Sequence, residues 1–298
     1  MRVFVTGATG FIGMALTKEL IEAGHQVIGV YRSEEKAKAL AALGAELYRG
    51  SIAEPESLTE GAARADGVVH LAFNHDFSRF VQNCEDDRGV IATLGAALAG
   101  SGRPLVITSG TPIANTVPGE PAKEGNPIVS SATHPRAASE EAGNAVAATG
   151  GNVSVVRLPQ VHNTRRFGLI SPAIDMYREK GVCAFIGDGA NRWPAAHYLD
   201  VARLFRLAIE RGEPGGRYHA VAEEGISLRA IAEAVGKRLN LPVKSITAEE
   251  APAHFGWLAG FAGLDMPASS AETRTKLGWE PTGPGLLADL ERMELAGA

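Results

Sequence analysis

MRVFVTGATGFIG, residues 1–13, decides the fold. Arg2 to Thr6 is a short apolar, β-branched run that reads as a buried strand, and Met14 to Ala23 has helical character. Between them Gly7, Gly10 and Gly13 fall at GxxGxxG spacing. A glycine turn between strand and helix brings bare backbone and a helix N-terminus up to a pyrophosphate. A glycine triplet alone says little. Here it follows a strand and opens a helix, and a second strand, Gln26 to Tyr31, comes at the expected distance. That context predicts a dinucleotide site, against the alternative of a tight strand–helix turn that binds nothing.

The alternation continues outward from this turn. Glu34 to Leu43 reads as helix, Ala45 to Tyr48 as strand, Glu54 to Ala63 as helix and Gly67 to Ala72 as strand; Asp86 to Ala99 then reads as helix and Pro104 to Thr108 as strand. Strands alternating with helices predict a doubly wound, Rossmann-like α/β fold around a parallel sheet. Asn152 to Leu158 adds a strand, after which the chain grows richer in Pro, Gly and aromatic residues. Ser171 to Lys180, Asp200 to Arg211 and Leu228 to Leu239 read as helices, and Arg217 to Ala222 as a strand. The expected organisation is a dinucleotide-binding domain over 1–160 and a substrate lobe over 161–298, with about 195–223 returning to the main sheet.

Composition narrows the class. The 298 residues are 45% hydrophobic, enough for a sizeable core, and the formal charge is -5 with no long run of one sign. Neither a nucleic-acid footprint nor a membrane-surface patch is indicated. No apolar stretch approaches the ~20 residues that span a bilayer, and the first strand begins at residue 2, so a cytoplasmic protein is expected. Two cysteines imply no disulfide framework. Scattered histidines without HExxH or CxxC spacing predict no metal site.

TGATGFIG (6–13), GVVHLA (67–72), VVRLPQV (155–161), HYLDVARLFRLAIE (197–210) and LGWEPT (277–282) together resemble, in order, the motifs of the extended and atypical short-chain dehydrogenase/reductases, the superfamily of nucleotide-sugar epimerases and dehydratases. The resemblance implies a nicotinamide cofactor held by Gly7, Thr9, Gly10, Phe11, Ile12 and Gly13, with Ala72, Phe73 and Pro159 along its path. It also implies a small-molecule substrate, with a homodimer as an option common in such families. Members that bind NAD usually carry an acidic residue at the end of the second strand. Here Tyr31-Arg32-Ser33 stands there, and an arginine fork with a hydroxyl suits a 2′-phosphate. NADP is therefore expected.

The chain departs from the family at its catalytic pair. Family members use a Ser or Thr after strand five and a YxxxK pair on the next helix, yet residues 131–141 contain neither tyrosine nor lysine. Aligned on the pair, His134 falls near the tyrosine and Ala138 near the lysine, with Arg136 two residues early. The expected proton donor is His134 or a hydroxyl of Ser109 or Thr111. The competing reading is that Thr133-His134-Pro135 only starts the helix. Asn74, His162, Trp193, His197 and Trp257 are the expected substrate contacts, with Trp193 and Trp257 walling a fairly apolar pocket. These readings point to an oxidoreductase acting on a small carbonyl or imine. An epimerase or dehydratase, and an NADP-binding sensor, are the alternatives.

Overall fold

The computed structural model describes residues 1–295. Its centre is a seven-stranded, wholly parallel sheet. Six of its strands come from the first half: β1 (Arg2–Thr6), β2 (Gln26–Tyr31), β3 (Glu46–Arg49), β4 (Gly67–His70), β5 (Pro104–Gly110) and β6 (Asn152–Leu158). Between them run α1 (Phe11–Glu22), α2 (Glu34–Ala42), α3 (Thr59–Ala63), α4 (Phe80–Ala97) and α5 (Ala138–Ala148). The second half adds β7 (Gln160–His162), α6 (Ile170–Lys180), β8 (Cys183–Ile186), β9 (Arg192–His197), α7 (Tyr198–Arg211), β10 (Arg217–His219), β11 (Glu223–Ser227), α8 (Leu228–Leu239) and β12 (Val243–Ile246).

The strand order is β10-β6-β5-β4-β1-β2-β3. It reverses direction at β1, so the crevice for a ligand opens beyond the carboxyl ends of β1 and β4. Both faces of the sheet are covered, which is why its strands are near-continuous apolar runs. Val3 and Val5 pack with Leu16, Leu20 and Phe205 of α1 and α7, whereas Phe4, between them, packs with Ala62, Val90 and Leu94 of α3 and α4. This alternation is the two-residue period of a strand.

Arg217 to His219 forms the seventh strand, bonded to β6 with Tyr218 opposite Val156. The remaining strands of the second half form a three-stranded sheet, β11-β9-β7, and a β8-β12 pair. These pack with α6 and α8 around a second apolar core containing Tyr177, Trp193, Ile231 and Phe255. Among the described residues no helix is long and apolar enough to cross a membrane.

Candidate active site

An open cleft of about 1040 Å³ runs along the carboxyl ends of the sheet strands. That is the upper end of the range for drug-sized ligands, and it suits a dinucleotide with a small molecule beside it. The glycine turn forms its floor. Gly7 has φ +68°, and a Cβ there would lie 2.8 Å from the Ala72 nitrogen; a Cβ on Gly13 would lie 2.0 Å from the Gly7 carbonyl oxygen. The turn is therefore closed down to backbone contact. Gly10 donates to the Gly7 carbonyl at 2.8 Å and Met14 to the Gly10 carbonyl at 3.0 Å. The N–H groups of Phe11, Ile12 and Gly13 have no acceptor among the described residues. Three unmet donors at the positive end of a helix fit a pyrophosphate, and the family's nicotinamide dinucleotide fits this cradle. Thr9, Gly10, Phe11, Ile12 and Gly13 all line the cleft.

Beyond the carboxyl ends of β2 and β3 the cleft is bounded by Arg32, Lys36, Ser51 and Ile52. Among the described residues neither Arg32 nor Lys36 has a carboxylate within salt-bridge distance, unlike most of the arginines. Ser33 does not line the cleft; it occupies the N-cap position of α2, and its hydroxyl makes no cap bond there. Lys36, one turn into α2 and a candidate on sequence grounds together with Lys38, lines the cleft beside Arg32, whereas Lys38 does not.

At the other end a buried polar chain crosses beneath the cleft. Thr6 Oγ1 meets His70 Nδ1 at 2.7 Å, and His70 Nε2 donates to Asp87 Oδ1 at 2.9 Å. Arg136 Nη1 and Ser139 Oγ both donate to Asp87 Oδ2, at 2.8 and 2.6 Å. Arg136 Nη2 donates to the Thr108 carbonyl at 2.8 Å, and the guanidinium sits 4.3 Å over the Phe73 ring. Asp87 is only 4% exposed. The Arg136 charge and the hydrogen bonds from His70 and Ser139 outweigh its desolvation and hold its carboxyl well below the usual carboxylate range. Arg136 thus brings a fixed cation to the cleft, whereas Ala138 is fully buried in the core.

His134 precedes a short 3₁₀ turn, Pro135–Ala137, that leads into α5, and it lines the cleft. Its Nδ1 accepts from the Arg136 backbone N–H at 3.3 Å. This bond is the helix-start role anticipated for the residue, and it leaves the proton on Nε2. Burial pulls the His134 pKa below its ordinary value, with Arg136 adding to the effect. The side chain is therefore neutral near pH 7, with Nε2–H as a donor. Thr111 lines the cleft, its hydroxyl 3.5 Å from the Leu158 carbonyl. Ser109 does not line it: β5 alternates, Thr108 and Gly110 face the cleft, and the Ser109 hydroxyl is buried without a partner.

Ala72, Phe73, Asn74 and Pro159 line the cleft at the positions expected of them. The other four expected substrate contacts do not. Trp193 is 1% exposed, and its indole N–H donates to the Leu264 carbonyl at 3.2 Å within the second core. His162 is buried and bonded to Asp289 at 2.8 Å, and His197 lies 4.0 Å from the same carboxylate. Trp257 is 46% exposed and stacks on Phe77 at 4.6 Å, so it buttresses a cleft wall from outside. Arg192, beside Trp193, is tied to Asp265 at 2.7 Å. Phe80, Pro194, Phe261 and Met266 complete the wall instead. Asp87 and His70 escaped the sequence reading because nothing local joins them; only the packing of α4 against β4 does.

Residues 3–221 match the model of the NAD dependent epimerase/dehydratase family, and the chain belongs to that family. An uncharacterized protein of Schizosaccharomyces pombe is 44% identical over 293 residues, covering 97% of this chain and 98% of that one. A UDP-glucose 4-epimerase of Streptomyces lividans is 28% identical, covering 94% and 92%. Among solved structures, a dTDP-glucose 4,6-dehydratase from Streptomyces venezuelae with NAD bound superposes with a TM-score of 0.77 at 20% identity, covering 98% of this chain and 95% of that one. A UDP-glucose 4-epimerase of Thermus thermophilus in complex with NAD gives 0.75 at 21%, covering 98% and 97%. At such identities the structures establish the shared fold. The family binds a nicotinamide cofactor and its activities are of the epimerase, dehydratase and oxidoreductase type.

Proposed function

We propose that the protein is an NADP-dependent oxidoreductase for a small, fairly apolar carbonyl or imine. The observation that carries this reading is the reaction end of the cleft. Its walls are Phe73, Phe77, Phe80, Phe261 and Met266, no tyrosine lines it, and its polar equipment includes His134, Arg136 and Thr111. Walls of that kind offer little to the hydroxyls of a sugar. When bound, the cofactor supplies or accepts the hydride. Phe11, Ile12 and Gly13 hold its pyrophosphate through their N–H groups, and Arg32 and Lys36 hold the 2′-phosphate. Arg136 fixes positive charge beside the substrate's polar atom. His134 Nε2–H would donate a hydrogen bond to that oxygen or nitrogen and pass its proton as the hydride arrives, with water in the open cleft returning a proton to Nε2.

Cofactor choice is tested by titration. Arg32→Asp should shift relative affinity from NADP toward NAD, since a carboxylate repels the 2′-phosphate and accepts from ribose hydroxyls. Unchanged relative affinities would remove Arg32 from the cofactor site.

A further inference from the structure

Arg166 is a third unmatched cation on the cleft, after Arg32 and Lys36. It follows β7 in the turn 163–168 and lines the cleft with the glycine turn of β1–α1. Its guanidinium lies 5.8 Å from the ring centroid of Phe11, the first residue of α1 and one of the three with an unmet N–H. Among the described residues no carboxylate reaches it, although its neighbour Arg165 is bound to Glu294 at 2.7 Å. The turn that carries it is pre-formed. Asn163 Oδ1 accepts from the backbone N–H of Arg165 at 2.8 Å and of Arg166 at 2.9 Å, and Asn163 N–H donates to the Arg166 carbonyl at 2.9 Å. Ser171 Oγ accepts from the Phe167 N–H at 2.9 Å, tying the end of the turn to α6.

The backbone is thus held, while the charged head lies beside the Phe11 ring with no counterion among the described residues. Burial first, then the charges of Arg136 and Arg166, lowers the pKa of His75, which also lines the cleft. A guanidinium left unpaired beside unmet helix N–H groups is complementary to a diphosphate, which it can grip with two parallel hydrogen bonds. We infer that Arg166 is a pyrophosphate clamp, closing on the cofactor's diphosphate from the side opposite the glycine turn. The dinucleotide would then be held between two parts of the chain, α1 from the first half and the 163–168 turn from the second. This rests on the cofactor site described above, but not on the choice of NADP over NAD.

The test is calorimetric titration of NADP, NAD and adenosine 2′-monophosphate into the wild-type protein, Arg166→Gln, Arg166→Lys and Arg32→Gln. Circular dichroism and thermal melting would confirm that each variant is folded. Loss of a charge-assisted hydrogen bond should weaken NADP and NAD alike in Arg166→Gln, by about tenfold or more. Adenosine 2′-monophosphate, which has no diphosphate, should bind that variant like wild type, and Arg166→Lys should recover part of the loss. Arg32→Gln should weaken NADP and adenosine 2′-monophosphate but spare NAD. Unchanged affinity of folded Arg166→Gln for both dinucleotides overturns the clamp, as does an equal loss for the monophosphate. Failure of Arg32→Gln to discriminate would overturn only the 2′-phosphate assignment.

Discussion

Asp87→Asn is the sharpest probe of the buried network, because it changes charge with almost no change in shape. Asp87 uses both oxygens: Oδ1 accepts from His70, and Oδ2 accepts from Arg136 and Ser139. An asparagine offers one acceptor and turns an NH₂ toward a donor on its other side. The Arg136 guanidinium would then lose its carboxylate partner and keep only neutral ones, the Thr108 carbonyl and the Ser139 hydroxyl. Removing one partner of a buried ion pair costs about 3–5 kcal/mol. The Arg136 side chain retains 14% exposure, so the lower end, about 3 kcal/mol, applies. An unfolding entropy of about 2.1 cal/mol/K per residue over 298 residues makes that a fall of about 5 °C in Tm. The carboxylate's depressed pKa means it is charged throughout the neutral range, so the loss should be the same at pH 6 and pH 8. Turnover should fall as well, because Arg136 loses its fixed position. A double-mutant cycle with Arg136→Met should show the two changes costing less together than their sum. A Tm within about 1 °C of wild type, with normal turnover, would refute the view that Asp87 anchors the cleft's cation.

Other perturbations address separate parts of the account. His219 Nδ1–H donates to the Ser269 carbonyl at 2.8 Å, and Nε2 accepts from Arg157 at 3.1 Å. Burial, with Arg157 adding to it, lowers its pKa to about 4. The unfolded chain therefore binds a proton first, and stability present above about pH 6.5 is lost as pH falls toward 4, by up to about 3 kcal/mol. Melting wild type and His219→Gln across that window should show a flatter pH dependence in the variant; parallel curves would exclude His219 as a cause. Gly13→Ala places a Cβ 2.0 Å from the Gly7 oxygen and should lower dinucleotide affinity at least about tenfold. Gly89→Ala, in open space on α4, should leave binding intact and stabilise the helix by roughly 1 kcal/mol. His134→Asn keeps an N-cap acceptor but removes Nε2–H, so turnover should fall about 10²-fold or more with dinucleotide affinity unchanged. Normal turnover in that variant would leave His134 only its capping bond.

The parts legible in the sequence are those whose signal is local. The strand, glycine turn and helix of residues 2–22 lie within one supersecondary unit, and Arg32 is placed by its position at the end of β2. Helix α4 begins at Phe80 rather than Asp86, because Asp76 accepts from the Ser78 N–H and starts the turn earlier. The segment where the family's catalytic pair would fall defeats counting along a helix. A 3₁₀ turn at Pro135–Ala137 precedes α5, so side-chain directions there do not follow helical spacing, and Arg136 rather than Ala138 reaches the cleft. The sequence suggests Trp193 as a substrate contact from its turn-rich loop, and His162 and His197 from their places in segments that resemble family motifs, but β7 and β9 decide otherwise. Those strands, β7 and β9, are short and pair with each other in a separate sheet. That pairing turns both histidines toward Asp289, which is 127 residues from His162. No local pattern encodes such a contact. Ser109 illustrates the same limit on a smaller scale, since one residue along a strand exchanges the cleft face for the buried one.

The central claim is net redox turnover with a small carbonyl or imine. The most direct measurement is NADPH consumption by the purified protein against a panel of small aldehydes, ketones and imines, with UDP-glucose and dTDP-glucose as controls and products identified by mass spectrometry. The account predicts stoichiometric oxidation of NADPH with formation of the alcohol or amine, lost in His134→Asn. Conversion of a nucleotide sugar without net NADPH consumption would contradict it, as would tight NADPH binding with no consumption across the panel.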